Sequence, residues 1–168
     1  DWQDVIHSRP ANLEALFLKT IDEAAEKYAP LIKLNKDLQG LVEEGRRIAT
    51  EKLTQRLGWM TRIHPIMTSE NRMMLGLYSD VFNCSLAAFT TDWGATWSFS
   101  EPILTYELGN IQPSFTKKKD GTIVAMMRDN GIPKKIRIAE SKDDGVTWGP
   151  VGHMDIRNPG SSVECVAL

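Results

Sequence analysis

A chain of 168 residues, 42% hydrophobic and 25% charged, has the length of one ordinary domain and the balance of a soluble globular protein, which excludes a disordered chain. A formal net charge of -2 and a pI near 5.9 exclude an overall electrostatic footprint for nucleic acid, and the run Lys117-Lys118-Lys119 is too short to change that. No apolar run approaches the roughly 20 residues of a membrane span, no charged-then-apolar leader opens the chain, and Cys84 and Cys165 sit in strand-like contexts without metal-ligand spacing.

From Asn12 to Ala29, Leu13, Leu16, Phe17, Ile21, Ala24, Ala25 and Tyr28 recur at three- and four-residue steps and predict a helix with one apolar face. Asn12 is its expected cap, and Glu23 and Lys27 are an expected ion pair four residues apart. Pro30 then breaks the pattern or starts a new helix. A second amphipathic pattern follows, with Leu31, Leu34, Leu38, Leu41, Val42, Ile48, Ala49, Leu53 and Leu57 apolar and Gly40 and Gly45 as candidate interruptions. Residues 1 to 57 therefore read as a helical segment, either packed on the side of a main domain or serving as a lid or partner surface.

At Gly58 the pattern changes to short strands with turn signals, which sets the expected domain boundary. Three segments begin alike, at Ile63-His64-Pro65, Ile111-Gln112-Pro113 and Arg157-Asn158-Pro159. Their prolines lie 48 (113 − 65) and 46 (159 − 113) residues apart, a period suited to four-stranded propeller blades. Second strands are predicted over Asn71 to Tyr78 and Thr122 to Arg128, and third strands over Ser85 to Phe89 and Lys135 to Ala139.

Each third strand runs into S/T-x-D-x-G-x-T-W, as Thr90-Thr91-Asp92-Trp93-Gly94-Ala95-Thr96-Trp97 and Ser141-Lys142-Asp143-Asp144-Gly145-Val146-Thr147-Trp148. This is an Asp-box. Asp92 and Asp143 are expected to accept backbone N–H groups of their own turns, the glycines to supply positive φ, and the tryptophans to bury between neighbouring sheets. The acids are then architecture. Candidate chemistry falls instead to the first strands and the loops leaving them, at Arg62, Tyr78, Asp80, Gln112, Arg128, Asp129 and Glu164.

From about Leu57 to Leu168, through GWMTRIHPIM, LGLYSD, GNIQPSF, AMMRDNG, both Asp-boxes and NPGSSVE, the chain resembles the sialidase (neuraminidase) superfamily with Asp-box repeats. The resemblance implies a mainly β fold, with two blades and the start of a third of a six-bladed propeller, and an exo-acting glycoside hydrolase that needs no metal or cofactor. It implies a glycan partner ending in sialic acid or a related acidic keto-sugar, which favours a periplasmic or secreted protein. Sialidases hold the sugar carboxylate with arginines, use an aspartate as acid/base and use a tyrosine nucleophile activated by a glutamate.

Carried over residue by residue, Arg128 matches a carboxylate-binding arginine, and Arg62 resembles the Arg-Ile-Pro arginine with one residue inserted. Asp80 is the loose match for the acid/base, and Tyr78 aligns with Arg128 across the repeat. Gln112 stands where the family places a glutamate and, as an amide, cannot act as a base. From Gly58 onward 111 residues (168 − 58 + 1) remain, too few for six blades, so the expectation is a fragment that neither closes a pocket nor turns over substrate alone. Two other readings stay open: a propeller that binds glycans without hydrolysing them, and a scaffold whose helices are the contact surface.

Overall fold

The computed structural model describes residues 12–167. Among these residues three helices, α1 (Leu13–Lys27), α2 (Ala29–Leu34) and α3 (Lys36–Thr50), precede nine strands. Strands β1 (Trp59–Met60), β2 (Ile66–Ser69), β3 (Arg72–Ser79), β4 (Cys84–Thr90) and β5 (Ser98–Phe99) form one antiparallel sheet, with β1 and β2 both paired to β3 as the two halves of a broken inner strand. Strands β6 (Asn110–Lys117), β7 (Ile123–Asp129), β8 (Lys135–Ser141) and β9 (Gly152–Arg157) form the second, in sequential order. The fold is mainly β, two successive blade-like sheets behind a helical N-terminal part.

The sheets pack face to face. Met74, Ala87, Phe89 and Ile103 from the first meet Phe115, Ile123, Ala125, Met127 and Ala139 from the second. At roughly 1.5–3 kcal/mol for each large side chain taken out of water, this layer is the main favourable term holding the sheets together. The close approach depends on Gly76, where a Cβ would lie 2.6 Å from the carbonyl oxygen of Pro113.

The helices build a second core, in which Leu13, Phe17, Ile21 and Ala49 cover Phe82 and Cys84. Phe17 meets Phe82 edge-on, and Trp59 stacks on its other side. Pro30 lies in the first turn of α2, and neither Gly40 nor Gly45 interrupts α3. Several sequence expectations fail here. Asn12 occupies the N-cap position, but its side chain caps nothing and donates instead to Glu101 Oε1 at 2.8 Å. Glu23 lies 3.8 Å from Lys19 rather than pairing with Lys27, which sits 3.8 Å over the Tyr106 ring. Leu31, Leu34, Leu41, Leu53 and Leu57 are exposed, so much of the second apolar pattern is not buried in this chain.

The proline spacing also proves not to be the structural period. Pro65 immediately precedes Ile66, which pairs with Met74, whereas Pro113 lies inside β6 at a register shift between Ile111 and Ser114. Arg157 closes β9, paired with Lys135, so Pro159 follows an outermost strand rather than opening an inner one. No strand forms over residues 161–167; there the Cys165 N–H donates to Ser114 Oγ at 3.0 Å.

Candidate functional site

The ladders give the true equivalences. Trp59 pairs with Ser79 and Met60 with Tyr78; Asn110 pairs with Asp129 and Ile111 with Arg128. Tyr78 and Arg128 are therefore register equivalents at the same end of their sheets, as the sequence suggested. Beyond these pairs the inner strand departs from the ladder in both sheets. In β6 the departure is a bulge at Gln112, whose φ is +55°. In the first sheet residues 61–65 leave the ladder altogether, since Met60 is six positions before Ile66 whereas its equivalent Ile111 is five before Thr116. The extra residue lets Arg62 and His64 stand off the sheet.

What they reach is the segment after β9. Arg62 Nε donates to Ser162 Oγ at 3.3 Å, and His64 Nδ1 lies 2.7 Å from Glu164 Oε1. Arg128 joins the same segment from β7: a Cβ on Gly160 would stand 3.7 Å from its Nη2. The Arg128 Nε is buried without a hydrogen-bond partner, and so is Oε1 of Gln112, a residue only 7% exposed. Arg62, His64 and Arg128 thus each meet a different residue of the segment 160–164, to which Glu164 itself supplies a carboxylate. Unsatisfied buried polar groups are uncommon, and a guanidinium N–H left open beside a glycine offers a planar donor site for an oxyanion.

Asp80 and Tyr78 do not join this group through any described contact. Asp80 is exposed in the loop between β3 and β4 and lines a cavity of about 660 Å³ under the helices, with Val81, Asn83 and Leu108. Tyr78 is buried within β3, opposite Met60 and Ser85. Asp129 has a structural environment. Its carboxylate accepts Gly131 N at 2.7 Å and Arg137 Nε at 2.9 Å, and Arg137 is fully buried. Burial alone would raise the Asp129 pKa; the Gly131 N–H and the Arg137 charge outweigh it and hold the carboxyl below its ordinary value. Arg137 Nη2 also lies 3.5 Å from Glu107.

Sequence reasoning passed over His64 as a candidate, along with Ser162, Gly160 and Arg137. Of these, Arg137 left a signal: strand alternation puts it on the same face as Ala139 and Ser141, the face that is buried. The contacts of His64 cross 100 residues of sequence and left none.

The Asp-boxes lie away from these residues, in the connections β4–β5 and β8–β9. Asp92 accepts the Thr96 hydroxyl at 2.6 Å and its N–H at 2.9 Å, and Asp143 bonds Thr147 in the same way. Gly94 and Gly145 take φ of +95° and +86°. The two tryptophans differ. Trp97 folds back on its own turn, donating to the Gly94 carbonyl, whereas Trp148 stacks on Phe115 and packs against the apolar layer between the sheets. Gly145 enters the same interface, against Met74 and Phe89.

A family model described as BNR repeat-like domain matches residues 43–168. Among solved structures, a mutant of NanB sialidase from Streptococcus pneumoniae superposes with a TM-score of 0.51 at 23% identity, over 61% of this chain and 16% of that one. A protein of unknown function from Dyadobacter fermentans superposes with a TM-score of 0.52 at 20% identity, over 63% of this chain and 31% of that one. At these identities the likeness is one of fold, and the chain spans less than a third of either relative. No curated protein sequence matches.

Proposed function

This chain belongs to the BNR repeat-like domain family, and from that premise we propose that it is part of a sialidase-like exo-glycoside hydrolase acting on terminal sialic acid or a related acidic keto-sugar. The observation that carries the reading is Arg128, whose Nε is buried and unpartnered beside Gly160. A guanidinium stays charged at any working pH and presents two parallel N–H donors, which matches the carboxylate of an acidic sugar. Arg62, tied to Ser162 two residues beyond Gly160, would supply a second cation along the same segment. Tyr78 and Asp80 remain assigned only by resemblance, to substrate contact and to proton transfer.

A fluorogenic sialoside assay on the full-length protein tests the reading. Arg128→Ala is expected to lose about 30-fold or more in kcat/KM, the effect of removing one partner from a desolvated charge pair worth about 2 kcal/mol or more. Unchanged turnover would remove the role given to Arg128. Gln112 supports a second reading, a propeller that binds glycans without hydrolysing them, because a buried amide stands where a glutamate base is expected. That reading predicts calorimetric glycan binding with no free sugar released.

A further inference from the structure

We propose that Arg137, acting through Asp129, is the positioning residue of the Arg128 site: the pair fixes the turn 130–134, from which both Arg128 and the Gly160 backbone beside it are held. The inference rests on the reading of Arg128 above and names what keeps that side chain in place.

Arg137 and Asp129 are both fully buried, and Asp129 Oδ1 lies 2.9 Å from Nε and from Nη2 of the guanidinium. Nη1 has no hydrogen-bond partner among the described residues, and Glu107 stands 3.5 Å from Nη2. Taking two charges out of water costs about as much as their attraction returns, and apolar replacements of similar volume commonly hold a fold as well. Stability therefore does not account for a pair buried this deeply.

What the pair does is close a turn. Asp129 ends β7 and Lys135 opens β8, and the Asp129 carboxylate accepts the N–H groups of Gly131 at 2.7 Å and Lys135 at 3.4 Å. Gly131 lies directly on the pair, since a Cβ there would stand 2.5 Å from Arg137 Nη2 and 2.9 Å from Asp129 Oδ1. Lys134 takes a φ of +52°, a conformation uncommon outside glycine that the surrounding bonds must hold.

Two limbs leave this turn and meet at Arg128. One is the chain itself, because Arg128 precedes Asp129 on the two end rungs of the β6–β7 ladder. The other starts at Lys134, whose carbonyl accepts the Asn158 N–H at 2.7 Å. Asn158 is buried; its Oδ1 accepts the Gly160 N–H at 3.1 Å and its Nδ2 donates to the Ser161 carbonyl at 2.8 Å. Gly160 then stands beside the guanidinium, where a Cβ would be 3.7 Å from Arg128 Nη2. The guanidinium and the backbone it faces both hang on one turn, so a shift of that turn changes the gap between them. A carboxylate bound bidentately is sensitive to such a shift, because both N–H donors must stay in its plane.

The test uses the full-length protein, a non-hydrolysable sialic acid analogue and a fluorogenic sialoside. Exchanging both charges together, as Arg137→Met with Asp129→Asn, leaves neither buried alone and is expected to keep the melting temperature near that of the wild type. The same variant should bind the analogue about 10-fold or more weakly, with the loss in KM rather than kcat, since the carboxylate contact is made in ground and transition states alike. A purely structural role would move the melting temperature instead. Asn158→Ala, which cuts the second limb and leaves the pair intact, should raise KM in the same way. Wild-type affinity and KM in the double variant overturn the assignment. If that variant does not fold, wild-type affinity and KM in both Arg137→Lys and Asn158→Ala overturn it instead. Arg128→Ala separates the two readings: loss of binding there with unchanged binding in the Arg137 variants sinks this inference alone. Wild-type binding in Arg128→Ala, or no binding by the wild type, removes both.

Discussion

Asp92 illustrates how a residue that looks catalytic is committed to a turn. Bonds from the Thr96 hydroxyl, the Thr96 N–H and the Thr90 hydroxyl all favour its ionised form and bring its pKa down to about 2. A carboxyl whose folded pKa lies below its unfolded value of about 3.9 contributes stability above that value and loses it as pH falls through the folded one. Asp92→Asn should therefore melt below the wild type at neutral pH, with the gap closing between about pH 4 and pH 2 in a series of thermal melts. A gap that stays constant across that window would mean that the carboxylate charge is not what closes the turn. Arg128 and Gln112 differ from Asp92 in kind, because their buried polar atoms remain open. Motif matching singled out both positions, but their unpaired burial shows only in the structure.

Among the elements, the helical hairpin depends on close contact between α1 and α3. Gly45 is buried, and a Cβ there would come within 2.9 Å of Ile21 Cδ1. Gly45→Leu should overpack this contact and destabilise the hairpin by about 1–3 kcal/mol, read as loss of helical far-UV circular dichroism at lower urea than the unfolding of the sheets. Coincident transitions would show that helices and sheets unfold as one unit. The lysine run shows how position overrides composition. Lys118 pairs with Glu140, as a solvated turn allows, but Lys117 reaches back across the sheets to the Thr68 carbonyl at 2.6 Å.

For the whole molecule, the sheets are fastened at one edge by Asp144, the variable residue of the second Asp-box. Arg72 donates to its carbonyl at 2.7 Å and also contacts its carboxylate, and the guanidinium lies 3.8 Å over the Phe89 ring. Asp144→Ala should lower the urea midpoint by about 1 kcal/mol equivalent, a figure kept small because the carboxylate is 40% exposed and screened. Asp143→Ala, which removes the turn itself, is the useful comparison. An Asp144→Ala midpoint equal to the wild type would mean that this carboxylate adds nothing to the bond between the sheets.

The sequence by itself determined the second and third strands of each sheet, the Asp-box turns and the equivalence of Tyr78 with Arg128, because strand alternation and turn chemistry are local and repeat with the blade. It misplaced the repeat at the prolines, since a proline tolerates both a strand start and a bulge, and only ladder pairing fixes the register. It also made the helical leucines look buried, because an amphipathic pattern specifies a face and not what covers it. Tertiary structure alone decided which charges meet. Arg62 and His64, from the connection between β1 and β2, and Arg128, from β7, meet residues of the segment 160–164, and Asp129 is taken up by the buried Arg137. Such contacts are set by how sheets stack and where an inner strand leaves its ladder, quantities to which no short window of sequence is sensitive.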